Sequence, residues 1–289
     1  MQALIDSRTS LPVAPIETLV RARLASRTGR RPVVLGLSGP QGSGKSTLAT
    51  ALALRFATHG IAVALLSIDD LYLDRRRRRQ LAQAVHPLLR TRGVPGTHDV
   101  TRALTLFQQL GEPGRVMLPR FDKATDEPRP VDRWPIIDAP VDVVLFEGWC
   151  VGARPLPDDA LAAPISAFEA DHDPDGRWRR FVNAQLAGPY AALFARIDLN
   201  VLLTAPDFET VVGWRIEQEH ALRQTLAARG ADPGRTMDDD AVRDFVEYFR
   251  RITLAMLAEM PARADVTIAL DGRRSPVRVH GPGGAPLPA

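Results

Sequence analysis

Short runs of apolar residues alternate along this chain with longer segments in which apolar residues recur every three or four positions. The runs typical of buried strands occupy residues 32–38, 61–68, 141–148, 197–205 and 266–270. The segments with helical periodicity occupy residues 15–28, 46–56, 101–110, 178–195, 208–229 and 238–260. Short apolar strands separated by helices favour a parallel sheet covered on both faces. We therefore predict an α/β protein with a doubly wound, mainly parallel sheet and flanking helices.

Changes in composition divide the chain into three parts. Residues 1–30 predict an N-terminal helical extension, and residues 31–272 carry the alternating strands and helices of one domain. Within that domain, residues 111–140 are rich in proline, glycine and charge, which favours an irregular segment over the site. Residues 273–289 are rich in proline and glycine, so we predict a flexible C-terminal tail.

The overall composition restricts the classes of function. The 289 residues are 45% hydrophobic, which supports a sizeable core. A single cysteine, Cys150, excludes an internal disulfide and favours a reducing compartment. The net charge of +3 is small for a nucleic-acid-binding protein, and no apolar run approaches the length of a membrane span. We therefore expect a cytoplasmic protein that binds neither nucleic acid nor membranes.

Residues 39–46 read GPQGSGKS and match the pattern G-x-x-x-x-G-K-[ST] at every fixed position, between a predicted strand and a predicted helix. Glycines let the backbone turn several N–H groups toward a polyphosphate, and the helix adds the positive end of its dipole. Lys45 can then reach the terminal phosphates, and the Ser46 hydroxyl can bind Mg²⁺. The residues that we expect to bind the nucleotide are Gly39, Gln41, Gly42, Ser43, Gly44, Lys45, Ser46 and Thr47.

Lysine is rare in this chain. Of the 37 lysine and arginine residues, two are lysines, namely Lys45 and Lys123. A compact ammonium group suits sites that the planar guanidinium fork does not fit. Lys45 is explained by the phosphate loop, and Lys123 becomes a candidate for the site, with a chance position on the surface as the alternative.

Acidic residues follow two other predicted strands. Asp69 and Asp70 follow the second strand, and Glu147 ends the third. In doubly wound sheets, ligands gather at the carboxyl ends of the strands. A carboxylate there could accept the proton of an attacking hydroxyl group or hold Mg²⁺, although an aspartate could also cap the next helix. Together with the loop, these acids predict chemistry on MgATP, with the metal held by Ser46, Asp69 and Glu147.

Three further segments combine charged residues with turn-forming residues or helical spacing. Residues 86–99 read HPLLRTRGVPGTHD and residues 118–123 read LPRFDK. Either segment could hold a small polar substrate or form an ordinary exposed surface. Residues 214–223 predict a helix whose Arg215 could touch the phosphates from a closed lid, or could belong to an inert, salt-bridged face.

Two further features can be explained by a structural role as well as by a functional one. The arginine run at residues 75–79 follows Asp74, a suitable helix N-cap, which favours a solvated helix face over a phosphate-attracting surface. Asn183 and Tyr190 are seven residues apart, so a helix would place them on one face. They could bind the substrate there or satisfy buried hydrogen bonds.

Together these motifs resemble the D-glycerate 3-kinases of the plant and cyanobacterial type, a family within the P-loop kinases. The resemblance runs in family order from about residue 33 to residue 271. It is carried by GPQGSGKST, SIDDLYL, HPLLRTRGVPGTHD, LPRFDK, VVLFEGWCVG, the helix at 183–190, WRIEQEHALR and MDDDAVRDFVEYF. Phe121 stands where this family commonly has a tyrosine, and residues 157–180 match the family poorly.

The resemblance implies a P-loop NTPase-type kinase domain over residues 31–272, with a helical lid at about 207–235. It implies transfer of a phosphoryl group from ATP, with Mg²⁺, to the primary hydroxyl of D-glycerate. Asp69 would be the catalytic base, Lys45 and Glu147 would complete the catalytic set, and Arg215 would bind ATP. The expected acceptor-binding residues are Asp70, Tyr72, Arg92, His98, Asp99, Arg120, Lys123 and Asn183.

Two alternatives stay open at this point. One is a P-loop kinase for another acceptor, such as a nucleoside, pantothenate or a sugar phosphate. The aromatic content of 6% and the cations of the expected pocket disfavour a nucleoside. The other is a non-catalytic ATP-binding regulatory module, which the acid at position 69 disfavours.

Overall fold

The computed structural model describes residues 12–228, 230 and 236–287. The strands are β1 (Val33–Ser38), β2 (Val63–Ser67), β3 (Gly114–Met117), β4 (Phe121–Asp122), β5 (Glu127–Pro128), β6 (Ile136–Ala139), β7 (Val143–Gly148), β8 (Leu199–Thr204), β9 (Val266–Leu270) and β10 (Pro276–His280). The α-helices are α1 (Val13–Ser26), α2 (Lys45–Ala57), α3 (Arg75–Ala84), α4 (Val100–Gln109), α5 (Ala167–His172), α6 (Arg177–Gln185), α7 (Ala191–Phe194), α8 (Phe208–Ala228), α9 (Asp239–Glu247) and α10 (Arg250–Glu259).

The main sheet has the strand order β10-β9-β8-β1-β7-β2. All neighbouring pairs are parallel except β9 with β10, which are antiparallel. The five strands predicted from the apolar runs all belong to this sheet, and the prediction of a doubly wound, mainly parallel α/β fold is confirmed. Because β1 lies between β7 and β8, the loop that follows β1 lies at the middle of the carboxyl edge.

Alternate residues of the central strands enter two hydrophobic layers, one on each face of the sheet. Val144 and Phe146 of β7 pack into the layer that contains α4, α6 and α10. Val143 and Leu145 pack into the layer that contains α1, α2 and α8. Burial on both faces explains why these strands are continuously apolar rather than alternating.

The two ends of the chain differ from the expectation of an appended helix and a flexible tail. Ile16 and Val20 of α1 are fully buried in the layer that contains α2, so α1 belongs to the main core. At the other end, β10 forms the antiparallel edge of the sheet, so the prediction of a flexible tail is wrong for these residues. Pro276 is accommodated because an edge strand leaves one row of N–H groups unpaired, and Val279 packs on the core.

Two predicted helices are interrupted. The segment 238–260 forms α9 and α10, which are separate helices, and Asp238 caps the first by accepting a hydrogen bond from the Ala241 N–H. The segment 178–195 contains a π-helical turn, Leu186–Tyr190, between α6 and α7. Pro189 lies inside this turn, where the wider i→i+5 spacing interrupts the regular α-helical hydrogen bonds.

The segment 111–140 is largely irregular, as predicted, but it contains two small antiparallel pairs, β3 with β6 and β4 with β5. Among the described residues, no helix is long and apolar enough to cross a membrane. The predicted lid at 207–235 corresponds to α8 up to Ala228, and residues 229 and 231–235 lie outside the described part of the chain.

The arginine run on α3 is not uniformly solvated. Asp74 caps α3 by accepting a hydrogen bond from the Arg77 N–H, as predicted. Arg78, however, is 1% exposed. Its guanidinium donates to the carbonyls of Leu73 and Arg90 and to Asp126, so it connects three segments of chain. A buried guanidinium is stable only with such a complete set of acceptors.

Candidate active site

The phosphate loop connects β1 to α2 at the carboxyl edge of the sheet. Gly42 and Gly44 have left-handed backbone conformations, with φ of 76° and 89°, which glycine adopts without steric cost. Helix α2 begins at Lys45, and no side chain caps its first N–H groups. These free N–H groups and the helix dipole together form a site for an anion.

The other predicted loop residues are distributed around this turn. Gln41 lines the cleft, and a Cβ atom at Gly39 would lie 2.9 Å from the Ser43 Oγ. The Gln41 Oε1 and Ser43 Oγ atoms are buried and form no hydrogen bond within the described residues. Thr47 is exposed in the first turn of α2. Buried polar atoms without partners are costly, so a polar ligand here would add stability.

Glu147 is the penultimate residue of β7 and is buried beside the phosphate loop. The Ser46 hydroxyl donates a hydrogen bond to Glu147 Oε1 at 3.1 Å. The second carboxylate oxygen, Oε2, is buried and accepts no hydrogen bond from any described residue. Mg²⁺ typically binds to one or two protein oxygens and to the phosphates of the substrate. The Ser46 hydroxyl and the unpaired Glu147 oxygen fit such an ion.

Asp69 lies in the turn after β2 and is held by two donors. The Tyr72 hydroxyl donates to Oδ1 at 2.8 Å, and the Lys123 ammonium donates to Oδ2 at 2.5 Å. Burial alone would raise the pKa of Asp69, but the charges of Lys123 and Lys45 and the two hydrogen bonds hold this pKa well below its usual range. Asp69 is therefore an ionised carboxylate at neutral pH and can accept a hydrogen bond from a hydroxyl group.

The neighbouring carboxylate has different partners and an opposite pKa shift. Asp70 accepts hydrogen bonds from the Phe121 N–H at 3.0 Å and from Arg120 at 3.3 Å. Burial raises the pKa of Asp70 above its usual value. Asp70 and Arg120 were both expected to bind the acceptor, but they pair with each other and neither lines the cleft. Two adjacent carboxylates with opposite pKa shifts are suited to different roles.

The cleft between the phosphate loop and α8 has a volume of about 330 Å³. Apart from Lys45, the cations that line it are Arg92, Lys123 and Arg215. Arg92 pairs with Asp126 at 2.5 Å and lies 5.7 Å from the centroid of the Phe121 ring. The Lys123 side chain is 59% exposed, so its ammonium group is accessible from the cleft. Beside Asp69, the cleft therefore presents the cations Arg92 and Lys123.

A larger groove of about 870 Å³ lies elsewhere, between α5 and α9. Its lining includes Phe168, Tyr248 and Arg243, and it contains neither the phosphate loop nor the carboxylates that follow the strands. We therefore place the active site in the smaller cleft.

His98 was expected to bind the acceptor, but the structure places it behind Tyr72. The two rings stack with centroids 4.6 Å apart, and His98 Nδ1 lies 2.6 Å from the Tyr190 hydroxyl oxygen. That oxygen accepts a hydrogen bond from the Gly96 N–H, so its own hydrogen is available to Nδ1. Burial keeps His98 neutral, and its Nε2 atom is buried without a hydrogen-bond partner among the described residues. His98 supports Tyr72, which in turn holds Asp69.

Burial of the His98 ring makes the stability of the protein depend on pH. Burial lowers the pKa of His98 to about 4, only partly opposed by the charge of Asp69. In the unfolded chain the pKa of His98 is about 6.5. Between these two pKa values the unfolded state binds more protons than the folded state, so the free energy of unfolding decreases as the pH falls. We expect a loss of about 2 kcal/mol from this group between pH 7 and pH 5. Urea unfolding at both pH values should give a smaller loss for His98→Gln than for the wild type, and equal losses would contradict the assignment.

Asn183 is not brought into the cleft. Its side chain donates to the Leu156 carbonyl at 2.9 Å and accepts from the Leu156 N–H at 2.7 Å. The π-helical turn Leu186–Tyr190 changes the helical phase, so Asn183 and Tyr190 do not share the face that a regular helix would give them. Tyr190 instead reaches the loop at Gly96. Asn183 was expected to bind the substrate, but its side chain holds the backbone of Leu156 instead.

Asp99 is likewise used by the fold. It accepts a hydrogen bond from the Arg102 N–H, which caps α4, and it pairs with Arg77 at 3.1 Å. Asp99 does not line the cleft. A capping aspartate looks the same in sequence as a substrate-binding one, because both follow a turn.

One side of the cleft is closed by Arg215 and by residues of the quoted motifs that were not among the expected site residues. Arg215 pairs with Glu219 at 2.6 Å and lies 5.8 Å from the centroid of the Phe245 ring. Glu219 is buried and also accepts a hydrogen bond from the Met237 N–H. The lining residues missed from sequence are Ser67, Gln218, Glu219, Leu222, Phe245 and Phe249. All six lie within segments that carry the family resemblance, and three of them follow Arg215 at helical intervals on α8.

Comparisons with known proteins agree with this geometry. A model of the family "Methylmalonyl Co-A mutase-associated GTPase MeaB" matches residues 3–71, a segment that contains the phosphate loop. The kinase mug58 of Schizosaccharomyces pombe, named as uncharacterized, is 33% identical over 86% of this chain and 92% of its own length. The chloroplastic D-glycerate 3-kinase of Arabidopsis thaliana is 32% identical over 85% of this chain, which spans about half (54%) of that enzyme.

Solved structures extend the comparison to the fold. The structure of D-glycerate 3-kinase from Cryptococcus neoformans covers 94% of this chain and 99% of its own, with a TM-score of 0.77 and 26% identity. The phosphate loop, the carboxylates after the strands and these relatives define an ATP-dependent small-molecule kinase of the P-loop class. Within that class, the chain belongs to the kinase family that includes D-glycerate 3-kinase.

Proposed function

We propose that this enzyme transfers the γ-phosphoryl group of ATP to the primary hydroxyl group of D-glycerate and forms 3-phosphoglycerate and ADP. The observation that carries the proposal is the small cleft in which Arg92 and Lys123 lie beside Asp69 and the phosphate loop. An acceptor that carries a carboxylate requires cations, and one with a reactive hydroxyl requires an acceptor for its hydrogen bond. The relatives named D-glycerate 3-kinase support the same substrate.

In this mechanism the phosphates of ATP lie on residues 42–47, and Lys45 neutralises charge on the β and γ groups. Ser46 and Glu147 would hold Mg²⁺, which would supply further positive charge to the phosphate oxygens. Asp69 was also expected to bind the metal, but its carboxylate oxygens already accept hydrogen bonds from Tyr72 and Lys123. We therefore propose Ser46 and Glu147 as the protein ligands and assign Asp69 to the acceptor.

Asp69 accepts the proton of the primary hydroxyl group of the acceptor while the oxygen of that hydroxyl group attacks the γ-phosphorus. The bond from that phosphorus to the bridging oxygen breaks, and ADP leaves with the bond electrons. A carboxylate with a lowered pKa is a weak base, but phosphoryl transfer proceeds through a loose transition state and depends mainly on positioning and electrostatics. Asp69 therefore orients the hydroxyl first and receives its proton late.

We propose that Arg92 and Lys123 bind the glycerate carboxylate. Their present partners, Asp126 and Asp69, are carboxylates too, so an acceptor carboxylate can replace one of them without loss of charge pairing. A neutral nucleoside offers no anionic group to pair with these cations. Inward movement of α8 would bring Arg215 to the phosphates and exclude water from the reaction.

A coupled ADP-release assay with MgATP and five acceptors tests the proposal. The acceptors are D-glycerate, L-glycerate, uridine, pantothenate and ribulose 5-phosphate. We expect D-glycerate to give the highest kcat/KM, by about 10²-fold or more over acceptors that lack its carboxylate. Phosphorus NMR of the product distinguishes the 3-phosphate from the 2-phosphate. A preference for another acceptor would overturn the substrate, and ADP release that is independent of any acceptor would overturn kinase function.

A further inference from the structure

The turn between β9 and β10 touches both the phosphate loop and α8 through one residue, Arg274. Its guanidinium donates from Nε to the Gly42 carbonyl at 2.6 Å and from Nη2 to the Trp214 carbonyl at 3.2 Å. Nη1 donates to Glu217 at 2.7 Å. The guanidinium carbon lies 5.4 Å from the centroid of the Trp214 ring. One side chain thus joins the loop, the helix and the C-terminal hairpin.

The backbone of this turn is held in an uncommon conformation. Arg274 has a φ of 64°, the left-handed region that favours glycine. The Asp271 carboxylate accepts hydrogen bonds from the N–H groups of Arg273 and Ser275, both at 2.8 Å. On the side of α8, the Trp214 indole donates to the Gly272 carbonyl at 2.8 Å. These contacts fix the turn, so the guanidinium is presented to the loop from a rigid support.

We propose that Arg274 is a positioning residue for the phosphate loop. In a trans peptide the carbonyl and the following N–H point in opposite directions. Arg274 holds the Gly42 carbonyl outward, and the Ser43 N–H of the same peptide donates to the Pro40 carbonyl at 3.3 Å, so this peptide of the loop is held from both sides. If this peptide flipped, a carbonyl oxygen would face the phosphates and repel them.

The same side chain links the loop to the helix that carries Arg215. The loop packs directly on α8, because a Cβ atom at Gly42 would lie 2.7 Å from the Trp214 Cβ. Arg215 follows Trp214 in the chain, and Glu217 is one of the three partners of Arg274. Arg274 therefore sets the position of the loop and of the first half of α8 relative to each other. The inference rests on the proposed binding of the ATP phosphates to this loop.

The test measures binding of two probes, inorganic tripolyphosphate and ATP, by calorimetry with the full chain. The variants are Arg274→Ala and Arg274→Lys, with Arg273→Ala as the matched control, because Arg273 is the exposed neighbour in the same turn. We expect Arg274→Ala to weaken both probes by about tenfold, as a lost charge-assisted hydrogen bond does. Arg274→Lys keeps one donor and should be intermediate, and Arg273→Ala should bind like the wild type.

The two probes separate the possible roles of Arg274. Weaker binding of ATP with unchanged binding of tripolyphosphate would show that the Arg274 side chain contacts the nucleoside, and it would overturn the proposal. Unchanged binding of both probes would also overturn it. Failure of the wild type to bind either probe would contradict the proposed function itself. If Arg274→Ala does not fold, the variant Glu217→Gln replaces it in the test, because Glu217 is exposed on α8 and pairs with Arg274. It should weaken tripolyphosphate about threefold, and an unchanged affinity would overturn the inference.

Discussion

Replacement of Asp69 by asparagine is expected to lower kcat by about 10²- to 10⁴-fold, the range for loss of a positioned general base. The amide keeps the size of the carboxylate and can still accept from Tyr72, so the turn after β2 should stay folded. It cannot take up a proton, and it no longer pairs with the ammonium of Lys123. ATP binding should persist, because the phosphate loop is unchanged. Turnover with saturating D-glycerate and calorimetric ATP binding measure the two effects.

Asp70→Asn is the matched comparison for this prediction. Its carboxylate pairs with Arg120 and the Phe121 N–H outside the cleft. We therefore expect Asp70→Asn to reduce kcat far less than Asp69→Asn. A variant of Asp69 with wild-type turnover, together with an inactive Asp70 variant, would reassign the base to Asp70.

Replacement of Lys45 by arginine is expected to lower kcat/KM by about 10²- to 10³-fold, although the charge is conserved. Lys45 begins α2 directly after the left-handed Gly44, where the loop curls around the expected position of the phosphates. A compact ammonium group can lie between two phosphate oxygens inside this curl. The wider guanidinium fork would displace either the loop or the phosphates.

Lys123→Arg is the natural control, because it makes the same change at the only other lysine of the chain. Lys123 contacts a carboxylate from an exposed position, and a guanidinium binds carboxylates well. The loss in kcat/KM should therefore stay below about tenfold. Equal losses at both positions would contradict the steric argument for the phosphate loop, and full activity of Lys45→Arg would refute it.

The parts of the molecule that follow local rules could be predicted from sequence. Continuous apolar runs marked the parallel strands, because burial on both faces removes the need for polar positions. The phosphate loop was recognisable because glycine spacing and Lys45 are required at short range. Asp69 and Glu147 were expected near it, since both follow strands of one sheet.

Other parts depend on contacts that are distant in sequence. Asn183 contacts Leu156 and Tyr190 contacts Gly96, and the π-helical turn between them changes their relative phase without a sequence signal that would predict it. Asp99 and Arg120 carry charges suitable for a substrate, but the fold uses both in caps and ion pairs. Arg274 lay in a segment that was predicted to be flexible. Its contact with Gly42 exists only because β10 completes the edge of the sheet.

The position of β1 in the sheet has a consequence for protein synthesis. β1 is translated before β7 and β8, its neighbours in the sheet, and long segments of chain separate it from both. The nascent chain therefore carries β1 as an unpaired, largely apolar strand until β7 has been made, and pairing over such long separations is slow. The centre of the sheet can close around β1 only after β8 has been translated, and until then this apolar segment can associate with other exposed strands.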